Sequence, residues 1–447
     1  MTDLPIDEIP RHAALAKLAR VLEVDKSAVE FLGDVPVEDL RALRNHVSDQ
    51  LHEADAGRLS RVAAASKLIP MGMAASIGQH WFGATLCARL VGLIEPDRGG
   101  QFATHLDVEF MADITVKTDP RLVGELVHHL PLASMQGIAT TLYRRDDHLT
   151  LSHFVGHIPP PIVAAILEAL TDDAAVVRIA VFVEDLANLD PVVALLTDER
   201  LLGLIRAVEA EDLWVEGLHL FGHLGSEQIE RIAVTLVDND EHLLRAALAA
   251  FDRHDLWVEG LGVLEVIEGD RLAHLASVLI ELDDELVLAA ITAFDRHDLW
   301  RQGLEILGNL EGEHVARLAT LLTRLDDEVL GAAIGAFHRL DLWSLGLGVL
   351  ASLDGEHIRQ VASVLVSLGD EVIDGAVRAA VSSNVWEPLV HAGLAAEHLP
   401  DAVRDRLVAI IDGLDDDVVT QFESAAARLG HEGLLERLLQ RSAGQPG

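Results

Sequence analysis

The chain has 447 residues, half of them hydrophobic, and a formal net charge of −39. Such a charge is repelled by nucleic-acid phosphates and anionic membrane surfaces, which excludes nucleic acid as a partner and leaves basic proteins or cations as the favoured ones. Aromatic residues are only 4% of the chain, which favours helices over sheets, since strands are enriched in aromatic residues.

The N-terminal region, residues 1–157, begins with an acidic stretch that lacks a basic segment followed by an apolar one, so no signal peptide is expected. Cys87 is the single cysteine; no intrachain disulfide can form, which fits the reducing cytoplasm. The uncharged stretch 68–88 contains Pro70 and three glycines. It predicts a buried helical pair and no stable membrane insertion.

Proline and aspartate punctuate the first 200 residues, as in IEPDRG at 94–99 and KTDPRL at 117–122, and predict many short helices. The stretch IEPDRGGQFATHLDVEFMADITVKTDPRLVGELVHHLP, within roughly residues 90–170, resembles the intracellular N-domain of MgtE-type magnesium transporters. The resemblance implies a superhelix of short helices and a contribution of acidic surfaces to divalent-cation sensing.

A repeat organises the C-terminal half. Five of the six tryptophans are spaced by 43 residues each time, at Trp214, Trp257, Trp300, Trp343 and Trp386. Each repeat reads as three short helices, which is typical of HEAT and armadillo repeats. The sequence therefore predicts an all-α, right-handed superhelical α-solenoid: a transitional repeat at 158–200, 43-residue repeats at 201–430, and a C-terminal cap with a frayed tail at 431–447.

Equivalent positions in the repeats carry residues that favour helix starts. Three sets predict N-caps: Asp240, Asp283 and Asp326 before the first helix; Asp212, Asp255, Asp298, Asp341 and Asn384 before the second; Ser226, Gly269, Gly312 and Gly355 before the third. Acidic residues at helix starts are also favoured by the helix dipole. Much of the negative charge therefore has a structural explanation.

The heptapeptide FDRHDLW occurs at 251–257 and again at 294–300. Its His-Asp pair could suggest proton transfer or metal binding. The position of the histidine, however, holds Glu211, Leu340 and Ser383 in other repeats, which argues against a role in every repeat. We expect the aromatic residues to pack, the second aspartate to cap a helix, and four residues to face a partner, namely Asp252, His254, Asp295 and His297.

Two HxxxH pairs place imidazoles on one helix face, at His153 with His157 and His219 with His223. Zinc needs further ligands, and the sequence has neither an HExxH motif nor a cysteine pair. No cofactor is predicted. The acidic runs 283–285, 326–328 and 415–417 would support only weak, delocalised binding of divalent cations.

The sequence favours a non-enzymatic scaffold or adaptor that binds a protein along a curved solenoid surface. One alternative is a Mg²⁺-responsive regulatory protein, suggested by the acidity and the transporter-like stretch. A second is an enzyme or small-ligand binder with a site between the two halves, around 130–225. Five histidines collect in that segment: His128, His129, His153, His157 and His219.

Overall fold

A computed structural model describes residues 8–383 except 67, 265 and 354, together with 386, 390, 413, 416–434 and 436. Every regular element among them is a helix, which confirms the predicted all-α class. The chain divides into two compact units, Met1–Asn239 and Asp240–Gly447, called here the N-terminal and C-terminal units. This division falls inside the predicted 201–430 array, and the boundaries near 157 and 200 stay predictions. Asn384, Asp415 and the tail from 437 lie outside the described residues.

The N-terminal unit is built from short helices, as the proline and aspartate punctuation predicts. Its α-helices are Ile9–Val21, Val37–Ser66, Met71–Ile77, Gly83–Leu90, Pro96–Ala103, Val108–Lys117, Gly124–Val127, Leu132–Arg144, His148–Val155, Pro160–Leu167, Asp173–Val181, Asp190–Val193, Asp198–Ala210, Trp214–Phe221 and Ser226–Asn239. Four 3-10 helices, Lys26–Leu32, Val91–Leu93, Pro120–Leu122 and Leu186–Asn188, and one π-helix, Gly78–Phe82, complete it.

The apolar stretch 68–88 is helical, but it is not a buried pair. Leu68, Met73 and Trp81 are 88%, 56% and 83% exposed, whereas Cys87 is buried as expected. Burial raises the pKa of the Cys87 thiol to about 11, so the thiol stays protonated at neutral pH. None of the described helices is both long enough and apolar enough to cross a membrane.

The C-terminal unit repeats a three-helix pattern. Its helices are Glu241–Arg253, Trp257–Leu264, Asp270–Ile280, Asp284–Arg296, Trp300–Leu307, Glu313–Leu322, Asp327–Arg339, Trp343–Ala351, Gly355–Ser367, Asp370–Ser383 and Asp416–Arg428. The first helix of each repeat contacts the first helix of the next, and each second helix also contacts the first helix that follows. Third helices contact the second helix of the next repeat. Neighbouring repeats thus bury each other's apolar faces, as in a solenoid.

The regularly spaced aromatic residues are buried where neighbouring repeats pack together. The five ladder tryptophans are between 1% and 7% exposed. Within the C-terminal unit, the rings of Phe251, Trp257, Phe294 and Trp300 follow one another edge to face, with centroids 5.9, 6.3 and 6.3 Å apart. Edge-to-face packing is the favoured geometry for such rings. The contact from Trp257 to Phe294 links one repeat to the next.

One of the three predicted sets of caps is found as expected, and a second is found in half of its members. Asp240, Asp283 and Asp326 accept hydrogen bonds from the backbone N–H three residues later, at 3.2, 3.0 and 2.9 Å. Gly269 and Gly312 are N-caps with φ of 60° and 56°, a conformation that glycine adopts without strain. Ser226 and Gly355 are instead the first residues of their helices.

Candidate functional site

The aspartates before the second helix do not cap it, so that prediction is wrong. Asp212, Asp255, Asp298 and Asp341 have φ of 51°, 53°, 55° and 57°, in the left-handed region. Each closes the preceding helix instead. The leucine that follows each aspartate donates its backbone N–H to the carbonyl five residues earlier, at 2.8 to 2.9 Å. This pattern is a Schellman motif, in which Asp and Asn are among the few residues that replace glycine.

Two of the residues expected to face a partner are engaged within the fold. Asp295 accepts a hydrogen bond from the Trp300 indole at 3.2 Å. His297 Nε2 lies 3.1 Å from the Asp255 carboxylate of the preceding repeat, so its ring joins two repeats. Asp252 is exposed and His254 is half-buried. The two FDRHDLW segments therefore contribute mainly to the architecture. Of the four residues expected to face a partner, Asp252 is the one that is exposed.

The HxxxH pairs do not converge with further ligands. The rings of His219 and His223 lie 5.0 Å apart; burial, and then the neighbouring His223, lowers the pKa of His219 to about 4. His153 is half-buried, whereas His157 is exposed. In the described part of the chain, no three His, Cys, Asp or Glu side chains are grouped so that they could hold a metal ion.

The histidines at 128–219 are scattered over the N-terminal unit. His128 and His129 are exposed, and His129 Nδ1 lies 2.9 Å from an oxygen of Asp97. His153 lines a charged pocket together with Lys17 and Arg20. The five histidines therefore do not share one site.

Sequence reasoning missed a buried ionic cluster in the N-terminal unit. Glu184 forms ion pairs with Lys17, whose Nζ lies 3.2 Å away, and with Arg44. Arg41 donates to the backbone carbonyl of Glu184 at 2.8 Å. Lys17 and Arg44 are 2% and 5% exposed. Two buried cations therefore share one carboxylate, and a third cation binds the backbone of the same residue.

The cluster shifts the titration of its members. Burial, only partly offset by Glu184, lowers the pKa of Lys17 to about 8. Burial alone would raise the pKa of Glu184, but the hydrogen bond from Arg44 and the charge of Lys17 lower it to about 2. Burial, then Lys17 and Arg44, lowers the pKa of His153 to about 3. Strongly shifted groups that share a pocket are typical of functional sites.

A sequence signal for the cluster existed in the scarcity of lysine. The chain has four lysines, Lys17, Lys26, Lys67 and Lys117. Three of them line one pocket. Composition alone shows that lysines are few. Only the fold shows that three of them line the same pocket.

The C-terminal unit carries a second recurring feature, an acidic edge formed by Glu285, Asp327, Glu328 and Glu371. These residues lie in the first turn of three successive first helices, and all four are exposed. The neighbouring Asp284 is neutralised by Arg317 and Arg324. Within the described residues, the four members of the acidic edge form no ion pair, so their charge faces solvent.

Comparison with known proteins identifies no family. No protein-family model matches the chain, and no curated protein is significantly similar to it, so the transporter-like stretch gains no support. A solved structure described as a "circular tandem repeat protein with novel repeat topology and enhanced subunit contact surfaces" is 16% identical over 98% of this chain and 94% of its own, with a TM-score of 0.18. That score is too low to carry any structural argument.

Proposed function

We propose that the protein is a non-enzymatic adaptor whose C-terminal unit binds a basic segment of a partner protein along the acidic edge. The observation that carries the proposal is the recurrence of Glu285, Glu328 and Glu371 as exposed, unpaired carboxylates at the same place in successive repeats, with Asp327 beside Glu328. Helix-dipole stabilisation accounts for only a few tenths to about 1 kcal/mol for each of them. Regularly repeated charge on a stacked array complements an extended basic chain.

The test compares two variants of the full chain with equal changes in charge. The edge variant carries Glu285→Gln, Asp327→Asn, Glu328→Gln and Glu371→Gln. The control variant carries Glu259→Gln, Asp298→Asn, Glu305→Gln and Glu311→Gln, four exposed carboxylates of the same unit outside the acidic edge. Partners recovered from host cells by affinity purification and mass spectrometry are then expressed and titrated against all three proteins.

The edge variant is expected to bind the basic partner about tenfold more weakly at low salt, because complementary charge is lost. The control variant should bind it as the native chain does. Equal binding by all three proteins, or recovery of partners that carry no basic segment, would contradict the proposal.

The alternatives have no observation in their favour. The divalent-cation proposal would need converging ligands, and the described residues contain no such group of three. A thermal melt at millimolar Mg²⁺ tests it directly. The proposed histidine site around 130–225 is not assembled, because His129 pairs with Asp97, His219 lies beside His223, and His153 lines a separate charged pocket.

A further inference from the structure

Three of the four lysines converge on one pocket in the N-terminal unit. Lys17, Lys26 and Lys117 line a cavity of about 540 Å³, together with Arg20 and Arg89. The lining also holds three acids, Glu23, Asp25 and Asp119, so five cations outnumber three carboxylates there, although the chain as a whole carries a net charge of −39. Local cationic charge in a cleft attracts anions even where the overall charge is negative.

Most of these cations already have partners. Arg20 donates two hydrogen bonds to Asp147, at 2.8 and 3.0 Å. Lys26 Nζ lies 2.9 Å from His12 Nδ1. Lys117, at the rim, lies 3.7 Å from the exposed Glu23.

Lys17 differs from the others. Its side chain is 1% exposed, and its ammonium has one partner among the described residues, the Glu184 carboxylate 3.2 Å away, which it shares with Arg44. An ammonium has three N–H donors, and one shared carboxylate cannot satisfy all of them. A buried ammonium that is incompletely hydrogen-bonded is costly, because it has lost water and gained no full replacement. An anion in the pocket would supply the missing acceptor.

A wholly apolar cavity adjoins this pocket. It measures about 200 Å³, and residues such as Cys87, Phe102, Met111, Met135, Leu142 and Ile166 line it. Among the described residues of its lining, none is charged. The two spaces are neighbours, because Thr115, Thr118 and Phe154 line both.

The shared threonines do not make the boundary polar. Thr115 and Thr118 donate their hydroxyls to the carbonyls of Met111 and Ile114, at 2.9 and 2.8 Å. Their hydrogen-bonding demand is met by their own helix. The wall that the cationic pocket shares with the apolar cavity therefore presents no unsatisfied hydroxyl donor to an alkyl chain.

We propose that the N-terminal unit binds a single-chain amphiphilic anion, with a carboxylate or phosphate head group at Lys17 and an alkyl tail in the apolar cavity. An ammonium binds either head group, because it acts as a compact positive charge and donates hydrogen bonds to carboxylate or phosphate oxygens. The tail is held by burial of apolar surface, at roughly 0.8 kcal/mol for each methylene group. A polar pocket beside an apolar one is what such a ligand requires.

The test uses the full chain and four probes: decanoate, decyl phosphate, decanol and inorganic phosphate. Calorimetry measures affinity, and the rate of alkylation of Cys87 by N-ethylmaleimide reports occupancy of the apolar cavity. Decanoate or decyl phosphate should bind and slow alkylation about tenfold at saturation. The tighter of the two identifies the head group. Inorganic phosphate should bind at least about a hundredfold more weakly than decyl phosphate, since it has no tail.

Variants separate head-group binding from tail binding. Lys17→Met should weaken binding of the preferred anion at least about tenfold and leave decanol unaffected. Lys117→Met removes a rim lysine as the matched control and should change the affinity less than about threefold. Ala139→Leu, which fills the apolar cavity, should abolish tail-dependent binding and serves as the second test if Lys17→Met does not fold. No binding of either anionic amphiphile, or equal binding after Lys17→Met, would overturn the proposal.

Discussion

At the scale of the residue, substitutions at Asp341 distinguish an N-cap of the following helix from a left-handed residue that ends the preceding helix. Its φ is 57°. Asp341→Thr should lower the free energy of unfolding by about 1–2 kcal/mol, because β-branched residues rarely adopt this conformation. Asp341→Gly should raise it by up to about 1 kcal/mol. Denaturant unfolding of the full chain measures both. If Asp341 were an N-cap, Asp341→Thr would leave the free energy of unfolding nearly unchanged, because Thr is a good N-cap, and Asp341→Gly would not raise it.

The error made for this residue shows what single positions cannot reveal. Asp and Asn favour both N-caps and left-handed positions, so the identities at 212, 255, 298, 341 and 384 fit either role. Asp283 and Asp326 were predicted correctly because further acids follow them at the start of a long periodic helix. Asp255 lies in the short connection between the helices Glu241–Arg253 and Trp257–Leu264. The sequence alone therefore does not show whether it ends the first helix or caps the second.

At the scale of the element, the glycines of the second helix set how closely it packs. A Cβ added at Gly260 would lie 2.3 Å from the Phe251 ring, whereas one at Gly262 would meet nothing within 4 Å. Gly260→Ala should lower the free energy of unfolding by about 1–3 kcal/mol through overpacking. Gly262→Ala, on the same helix, should raise it by up to about 1 kcal/mol. Equal effects in thermal melts would contradict this account of the packing.

The starts of the first helices are predictable from the sequence. The first helix of the second repeat in the C-terminal unit spans Asp284–Arg296 and begins directly after its predicted capping residue, Asp283. The sequence also repeats a phenylalanine six residues before the tryptophan, at 251, 294 and 337, and a glycine three residues after it, at 217, 260, 303 and 346. It does not say why they share a period, because the contact from Gly303 to the Phe294 ring exists only once two helices have packed.

At the scale of the whole molecule, the buried cluster around Lys17 makes stability depend on pH. The pKa of Lys17 is about 8, below its ordinary value of 10.5. The unfolded chain therefore binds more protons between these values, and folding is favoured as pH rises through them. Glu184, Arg41, Arg44 and His153 surround the ammonium. Lys17→Met should stabilise the chain below pH 8, and thermal melts should show this advantage shrinking towards pH 10.5. An advantage independent of pH would contradict the assignment.

The N-terminal unit was the least predictable part of the molecule. Lys17 and Glu184 are 167 residues apart in sequence, and neither belongs to a repeat ladder. Periodicity reveals contacts between equivalent positions of neighbouring repeats. It carries no information about a buried ionic cluster assembled from two helices and a distant loop, so the cluster could be found only from the fold.

Each 43-residue repeat of the C-terminal unit is a stacking unit that packs in the same way against its neighbours. Deleting Asp284–Asp326 joins Asp283 to Asp327 and preserves the register of the ladder. Circular dichroism should show cooperative unfolding with native helicity per residue, because the new interface repeats an existing one. Deleting residues 284–305 instead breaks the register of the repeats and should abolish cooperative unfolding. Loss of cooperative folding in the whole-repeat deletion, equal to that in the partial one, would contradict the account.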